Sequence, residues 1–213
     1  QELLLEKICE TGKPVVLVLM NGRAITINRA QRDCKSIIEA WFPGRYGGEA
    51  IADIVFGDYN PGGKLTVTFP KSVGQIPMCF PFKPGAQADA ETTVNGVLYP
   101  FGYGLSFTEF EYSNLRISPD KQNAGGKVEI TVDVTNKGSM TGDEVVQLYI
   151  RDEVSSVIRF EKELRGFERI TLAPGETQTV HFTLSPEELF MYDRDMRRVV
   201  EPGWFTVMAG SSS

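Results

Sequence analysis

The chain has 213 residues, of which 41% are hydrophobic and 23% charged, with a net charge of −6. That balance fits one large globular domain or two ordinary ones and excludes disordered and fibrous classes. It also argues against nucleic acid as a partner, since phosphates call for clustered Lys and Arg, and the apolar run Val15 to Met20 is far below the about 20 residues needed to span a bilayer.

Taken in order, Leu3, Leu4, Leu5 and Ile8 recur at helical spacing, and Gly12 follows as a C-terminal glycine. Gln1 opens in helical character without a basic leader, so the start reads as that of a fragment. Pro14 to Met20 is apolar on both faces, as in a buried parallel strand, and Asn21-Gly22 marks its exit turn. Ser36 to Trp41 predicts a second strand. Gly48 to Phe56 predicts a short helix packing through Ala50, Ile51, Ile54 and Val55, and Leu65 to Phe69 a third strand. Strand and helix in alternation imply a parallel α/β layer, of which three strands are too few to complete a doubly wound domain. Residues 70–106 form a connector rich in Pro and Gly: Pro70, Pro77, Pro81 and Pro84, then Pro100-Phe-Gly-Tyr-Gly-Leu-Ser106.

After Phe107 the period becomes two. Lys127 to Val134 places Val128, Ile130, Val132 and Val134 on one side. Val145 to Ile150, Arg169 to Leu172, Thr177 to Leu184 and Trp204 to Ala209 are further strands, with a turn at Ala173-Pro-Gly-Glu176. This pattern predicts an antiparallel sandwich of immunoglobulin or fibronectin type III kind. Cys9, Cys34 and Cys79 all precede it, which favours the fibronectin version; odd in number and without CxxC spacing, they predict neither a disulfide framework nor a zinc site. No N-x-S/T sequon occurs, which argues against a eukaryotic secreted glycoprotein. Arg194, Arg197 and Arg198, interleaved with Asp193 and Asp195, read as a solvated hairpin.

The segment Trp41-Phe-Pro-Gly-Arg-Tyr-Gly-Gly-Glu-Ala through Asn60-Pro-Gly-Gly-Lys-Leu65 to Pro70 resembles the signature block of glycoside hydrolase family 3, which includes β-glucosidases and β-xylosidases. Lys13 to Arg23, Ser72-Val-Gly-Gln-Ile-Pro77, the hinge Tyr99-Pro-Phe-Gly-Tyr-Gly-Leu-Ser-Phe-Thr108, Glu163 to Phe167, Leu172 to Glu176 and Val200 to Trp204 extend the resemblance over nearly the whole chain. It implies that residues 1–106 are the C-terminal portion of an (α/β)6 sandwich with its connector, and residues 107–213 a fibronectin type III-like domain. A barrel domain would precede them in the parent enzyme. Retaining enzymes of this kind use two carboxylates about 5–5.5 Å apart. The family's nucleophile is a barrel aspartate and its acid/base a loop glutamate upstream of Lys13. Neither motif occurs here, so no catalytic residue is carried over and the fragment is expected to be inactive alone. The implied substrate is a β-linked oligosaccharide or glucoside, with no cofactor, a periplasmic or extracellular location, and a homodimer left open.

The remaining candidates are weighed residue by residue. Asp53 and Asp58 read as helix-surface charge and turn capping rather than an acid/base pair. Glu39, in an apolar strand, needs a partner, and an ion pair with Arg45 or Lys35 is expected. Glu49 complements its helix dipole. His181 has the parity opposite to Val180 and Phe182 and reads as a surface strand residue; one histidine and no Cys/His cluster give a metal site no support. Trp41 and Tyr46 are the candidate substrate-binding residues, since aromatic faces stack on sugar C–H groups; core packing competes as the role of Trp41. Phe80, Phe82 and Tyr99 are read as leaning toward a neighbouring barrel, and Phe101 and Tyr103 as anchoring the junction between the two halves.

Overall fold

The computed structural model describes residues 1–75, 79–85, 96–123 and 125–213. Helix α1 (Glu2–Cys9) leads into β1 (Val16–Leu19), α2 (Asn28–Asp33) carries the chain back, and β2 (Ser36–Glu39) lies parallel to β1 from Val16 opposite Ser36 to Leu19 opposite Glu39. Parallel neighbours require such a crossover. Helix α3 (Gly47–Phe56) follows and stops at Gly57, whose φ of +84° suits a residue without Cβ. Ile27, Ala30, Phe69 and Leu98 form this half's core, with Leu17, Leu19, Ile37 and Trp41 packed on it.

Several sequence expectations change here. α2 carries no apolar stripe and was not foreseen. Residues 65–69 do not form a strand: only Phe69 bridges, to Tyr99, while the Leu65 carbonyl accepts from Gly102 N–H at 2.7 Å and Leu65 N–H donates to Tyr103 at 2.8 Å. Connector backbone therefore takes the hydrogen bonds that a sheet neighbour would have supplied. β2 ends at Glu39, and Trp41 turns into the left-handed region at φ 50°. The face of α3 is open: Ala50 is exposed, as are Val55 and, at 81%, Phe56. Ile76 and Pro77, the end of the Ser72–Pro77 motif, lie outside the described residues.

The second half is a sandwich of two three-stranded sheets. β3 (Phe110–Ser118), β4 (Val128–Asn136) and β7 (Thr177–Leu184) form one, with β4 central; β5 (Gly142–Asp152), β6 (Glu163–Leu172) and β10 (Phe205–Gly210) form the other, with β5 central. All pairs are antiparallel. Ile130, Val132 and Val134 from β4 meet Val146, Leu148, Ile170 and Leu172 across the interior. The short helix α4 (Pro186–Leu189) starts with a capping box between Ser185 and Glu188. β8 (Met191–Tyr192) and β9 (Arg198–Val199) make the small hairpin, its turn held by Asp193, which accepts from Asp195 N–H, Arg197 N–H and the Arg197 guanidinium at 2.9 Å each. The fold is thus a partial parallel α/β layer followed by an all-β, fibronectin-like sandwich. β3 was not predicted, because seven of its nine residues are exposed and its register shifts between Ser113 and Arg116.

Candidate functional site

Ligands of parallel α/β sheets collect outside the carboxyl ends of the strands. β1 and β2 end side by side there, at Asn21-Gly22 and at Trp41 to Tyr46. Glu39 ties the two exits together: it accepts the Trp41 N–H at 3.0 Å and the Asn21 side-chain amide at 3.3 Å, and Asn21 also donates to the Arg23 carbonyl at 2.7 Å. Burial pushes the Glu39 carboxyl up, while the Trp41 and Asn21 donors pull it down. The expected partner was Arg45 or Lys35. The observed one is a backbone N–H with a neutral amide, because the chain reverses at Trp41 and presents its N–H to the carboxylate.

Trp41 and Tyr46 are brought to the same loop but play different parts. The Trp41 ring is half-buried and lies 6.0 Å from Phe69, so it anchors the loop to the core. Tyr46 is 68% exposed, with the Arg45 guanidinium 5.6 Å from its ring. Phe42, which sequence reasoning overlooked, is 78% exposed and covers Gly22, where a Cβ would come within 2.6 Å of its ring. Phe42 and Tyr46 thus present aromatic surface at the strand ends, next to a partly buried carboxyl. Asp53 and Asp58 are linked through backbone: the Asp53 carbonyl accepts from Asp58 and Tyr59 N–H. His181 is exposed on β7, opposite Thr131. Among the described residues, no group of three or more His, Cys, Asp or Glu could hold a metal ion, and no helix is long and apolar enough to cross a membrane. Two shallow clefts, of about 280 and 250 Å³, involve Pro84 with residues 151–161 and the connector around Phe101; neither touches Trp41, Tyr46 or Glu39.

The rest of the signature block points into the junction with the sandwich. The Asn60 side chain accepts from Ser106 Oγ at 2.9 Å and Phe107 N–H at 2.8 Å and donates to the Thr141 carbonyl at 3.0 Å. Lys64 Nζ donates to the Gly104 carbonyl at 3.0 Å and to Glu144 at 3.2 Å; Tyr112 OH holds the other Glu144 oxygen at 2.9 Å. Glu144 is 2% exposed. Its burial raises the carboxyl, against Lys64 and Tyr112, which favour the charged form. Gly102, at φ +81°, lies where a Cβ would be 2.1 Å from Gln147 Oε1, and the Gln147 amide donates to the Gly102 and Ser211 carbonyls. Phe80 stacks on Phe101 at 4.6 Å and meets Tyr149 edge-on at 5.6 Å. Phe80 also packs edge-on against Phe82, and Tyr99 lies between Phe69 and Tyr103; Phe80, Phe82 and Tyr99 are all half-buried. One signal for this junction was available in the sequence. Glu144 sits in the inward row of Gly142, Val146, Leu148 and Ile150, where a carboxylate demands a cation.

Comparison with known proteins matches this architecture. The profile of the glycosyl hydrolase family 3 C-terminal domain covers residues 1–107, and that of the fibronectin type III-like domain covers residues 144–213. The chain belongs to glycoside hydrolase family 3. A β-xylosidase of Formosa agariphila is 46% identical over all of this chain, and a periplasmic β-glucosidase of Salmonella typhimurium 44% over 99% of it. This family 3 chain spans only 30% and 29% of those two relatives. A solved β-glucosidase from Erythrobacter marinus superposes with a TM-score of 0.94 at 41% identity, over 99% of this chain and 28% of that one. A β-glucosidase from Listeria innocua in complex with glucose gives 0.90 at 35%, over 98% and 31%.

Proposed function

We propose that the chain is the C-terminal portion of a retaining exo-β-glycosidase of β-glucosidase type, which hydrolyses terminal β-linked glucose from oligosaccharides or glucosides without a cofactor. Residues 1–106 complete the (α/β)6 sandwich and residues 107–213 are the fibronectin-like domain. The observation that carries the reading is the 44–46% identity, running the full length of this chain, to relatives named β-glucosidase and β-xylosidase. Both reacting carboxylates belong to upstream segments of the parent, and this chain alone does not turn over. Tyr46, with Trp41 holding its loop in place, forms part of the sugar-binding wall. A periplasmic or extracellular site of action agrees with the Salmonella relative's name. On aryl β-glucoside and β-xyloside, the isolated chain should show no hydrolysis above blank, and the parent carrying it should prefer the glucoside. Hydrolysis by the chain alone, lost on replacing Glu39 or Asp53, would refute the assignment.

A bracing role is a second reading with its own support, since the Lys64–Glu144 contact and the Asn60 hydrogen bonds make the sandwich a buttress of the α/β layer. It predicts no sugar affinity for the isolated chain, which calorimetry against cellobiose tests.

A further inference from the structure

Helices α1 and α2 lie side by side. Glu6 of α1 pairs with Arg29 of α2 at 3.1 Å, and Leu5 packs on the cluster that contains Ala30 and Cys34. Leu5 and Cys9 are one turn apart on the same face of α1; Ala30 and Cys34 are spaced identically at the end of α2, where Cys34 N–H closes onto the Ala30 carbonyl at 2.9 Å. Extending the two rows one turn past the Glu6–Arg29 pair places Cys9 on the side of α1 that faces Cys34. Both thiols are half-buried, while Cys79 is exposed. Burial pushes the Cys34 thiol up, and its contact with Cys9 raises it further.

We infer that Cys9 and Cys34 are a redox couple that closes into an intramolecular disulfide and fastens α1 to the α/β layer. The oxidant is a low-molecular-weight disulfide such as oxidised glutathione. The Cys9 thiolate attacks one of its sulfurs and releases one glutathione thiolate. Cys34, losing its proton, then attacks the Cys9 sulfur of the mixed disulfide and releases the second. Two protein thiols are oxidised by two electrons and one external disulfide is reduced to two thiols. An oxidising compartment would hold the pair closed.

The test is to reduce the protein, expose it to oxidised glutathione at pH 8, alkylate the remaining thiols and map tryptic peptides by mass spectrometry. The expected product is a Cys9–Cys34 cross-link two hydrogens lighter than the reduced peptides, with Cys79 outside it. The unfolding midpoint should rise by roughly 7–14 °C over the reduced protein, on the loop-closure scale for a loop of this size. Cys9→Ser should abolish the difference between oxidised and reduced samples. Glutathione found separately on Cys9 and Cys34, both thiols alkylated, or a cross-link that leaves the midpoint unmoved would overturn the inference.

Discussion

Replacing Lys64 with Met removes the cation from a carboxylate that is 2% exposed and leaves it only the Tyr112 hydroxyl. Breaking a buried pair from one side costs about 3–5 kcal/mol. Glu144 can escape by taking up a proton. At pH 7 that costs about 1.36 kcal/mol for each of the roughly 2.7 pH units above an ordinary glutamate, or about 3.7 kcal/mol. The loss at neutral pH is therefore about 3–4 kcal/mol, a fall in midpoint of roughly 6–15 °C for a chain of this size. The pH dependence has a definite sign. Without Lys64 the folded Glu144 pKa lies well above the unfolded one, so the penalty is complete above the folded value and fades as pH falls toward about 4.3. Thermal unfolding of Lys64→Met against the parent, from pH 4.5 to 8, should show the gap closing toward acid. Adding Glu144→Gln should recover most of the loss. A loss below about 1 kcal/mol at pH 7, or one unchanged across that range, would show that the contact does not hold the junction.

Other outcomes are expected from the same structure. Gly102→Ala places a Cβ in a left-handed conformation and against Gln147, so it should lose about 2–4 kcal/mol in a denaturant titration. Asn60→Ala strands the Phe107 N–H and Thr141 carbonyl and should lose about 2–3 kcal/mol by the same titration. Trp41→Ala should destabilise by about 2–4 kcal/mol, whereas exposed Tyr46→Ala should stay within about 0.5 kcal/mol and instead raise KM for an aryl glucoside in the parent enzyme. Glu39→Gln should raise the midpoint more at pH 8 than at pH 4.5. The raised carboxyl disfavours the folded state once both forms are ionised, and that contribution disappears as the proton returns.

Legibility in the sequence differed between the halves. Clean alternation, as in Val128 to Val134, identified β4 because one face of the strand is buried and the other is not. β3 escaped because its apolar alternation, Phe110 and Tyr112 and then Leu115 and Ile117, changes phase at Asn114, where the register with β4 shifts. The Leu65 to Phe69 run has strand composition, yet its backbone pairs with the connector, a neighbour about 30 to 40 residues away that local pattern cannot reveal. At the candidate site, Tyr46 and Trp41 were visible as aromatics beside glycine turns. The reversal at Trp41 that separates an exposed ring from a packed one was not, because it depends on the Glu39 carboxylate capturing a backbone N–H. Cys9 and Cys34 looked scattered in the sequence and become neighbours only through helix packing.

The signature block divides by direction. Trp41 to Gly48 lines the carboxyl ends of β1 and β2, whereas Asn60 to Lys64 reaches away from them into the sandwich. A motif that looks like one functional unit therefore serves two mechanical ends. The central strand β5 shows why the second end matters. Val146 and Leu148 pack into the sandwich interior, while Gln147 and Tyr149, on the opposite face of the same strand, are covered by Gly102, Phe80 and Phe101 of the connector. The middle of β5, from Val146 to Ile150, is buried on both faces and ties the sandwich to the connector, since separating the halves would expose Tyr149 and leave Glu144 without Lys64. The hinge motif thus acts as a clamp: Asn60, Lys64 and the connector hold the sandwich against the α/β layer, while Glu39, Asn21 and Trp41 separately set the loop carrying Tyr46.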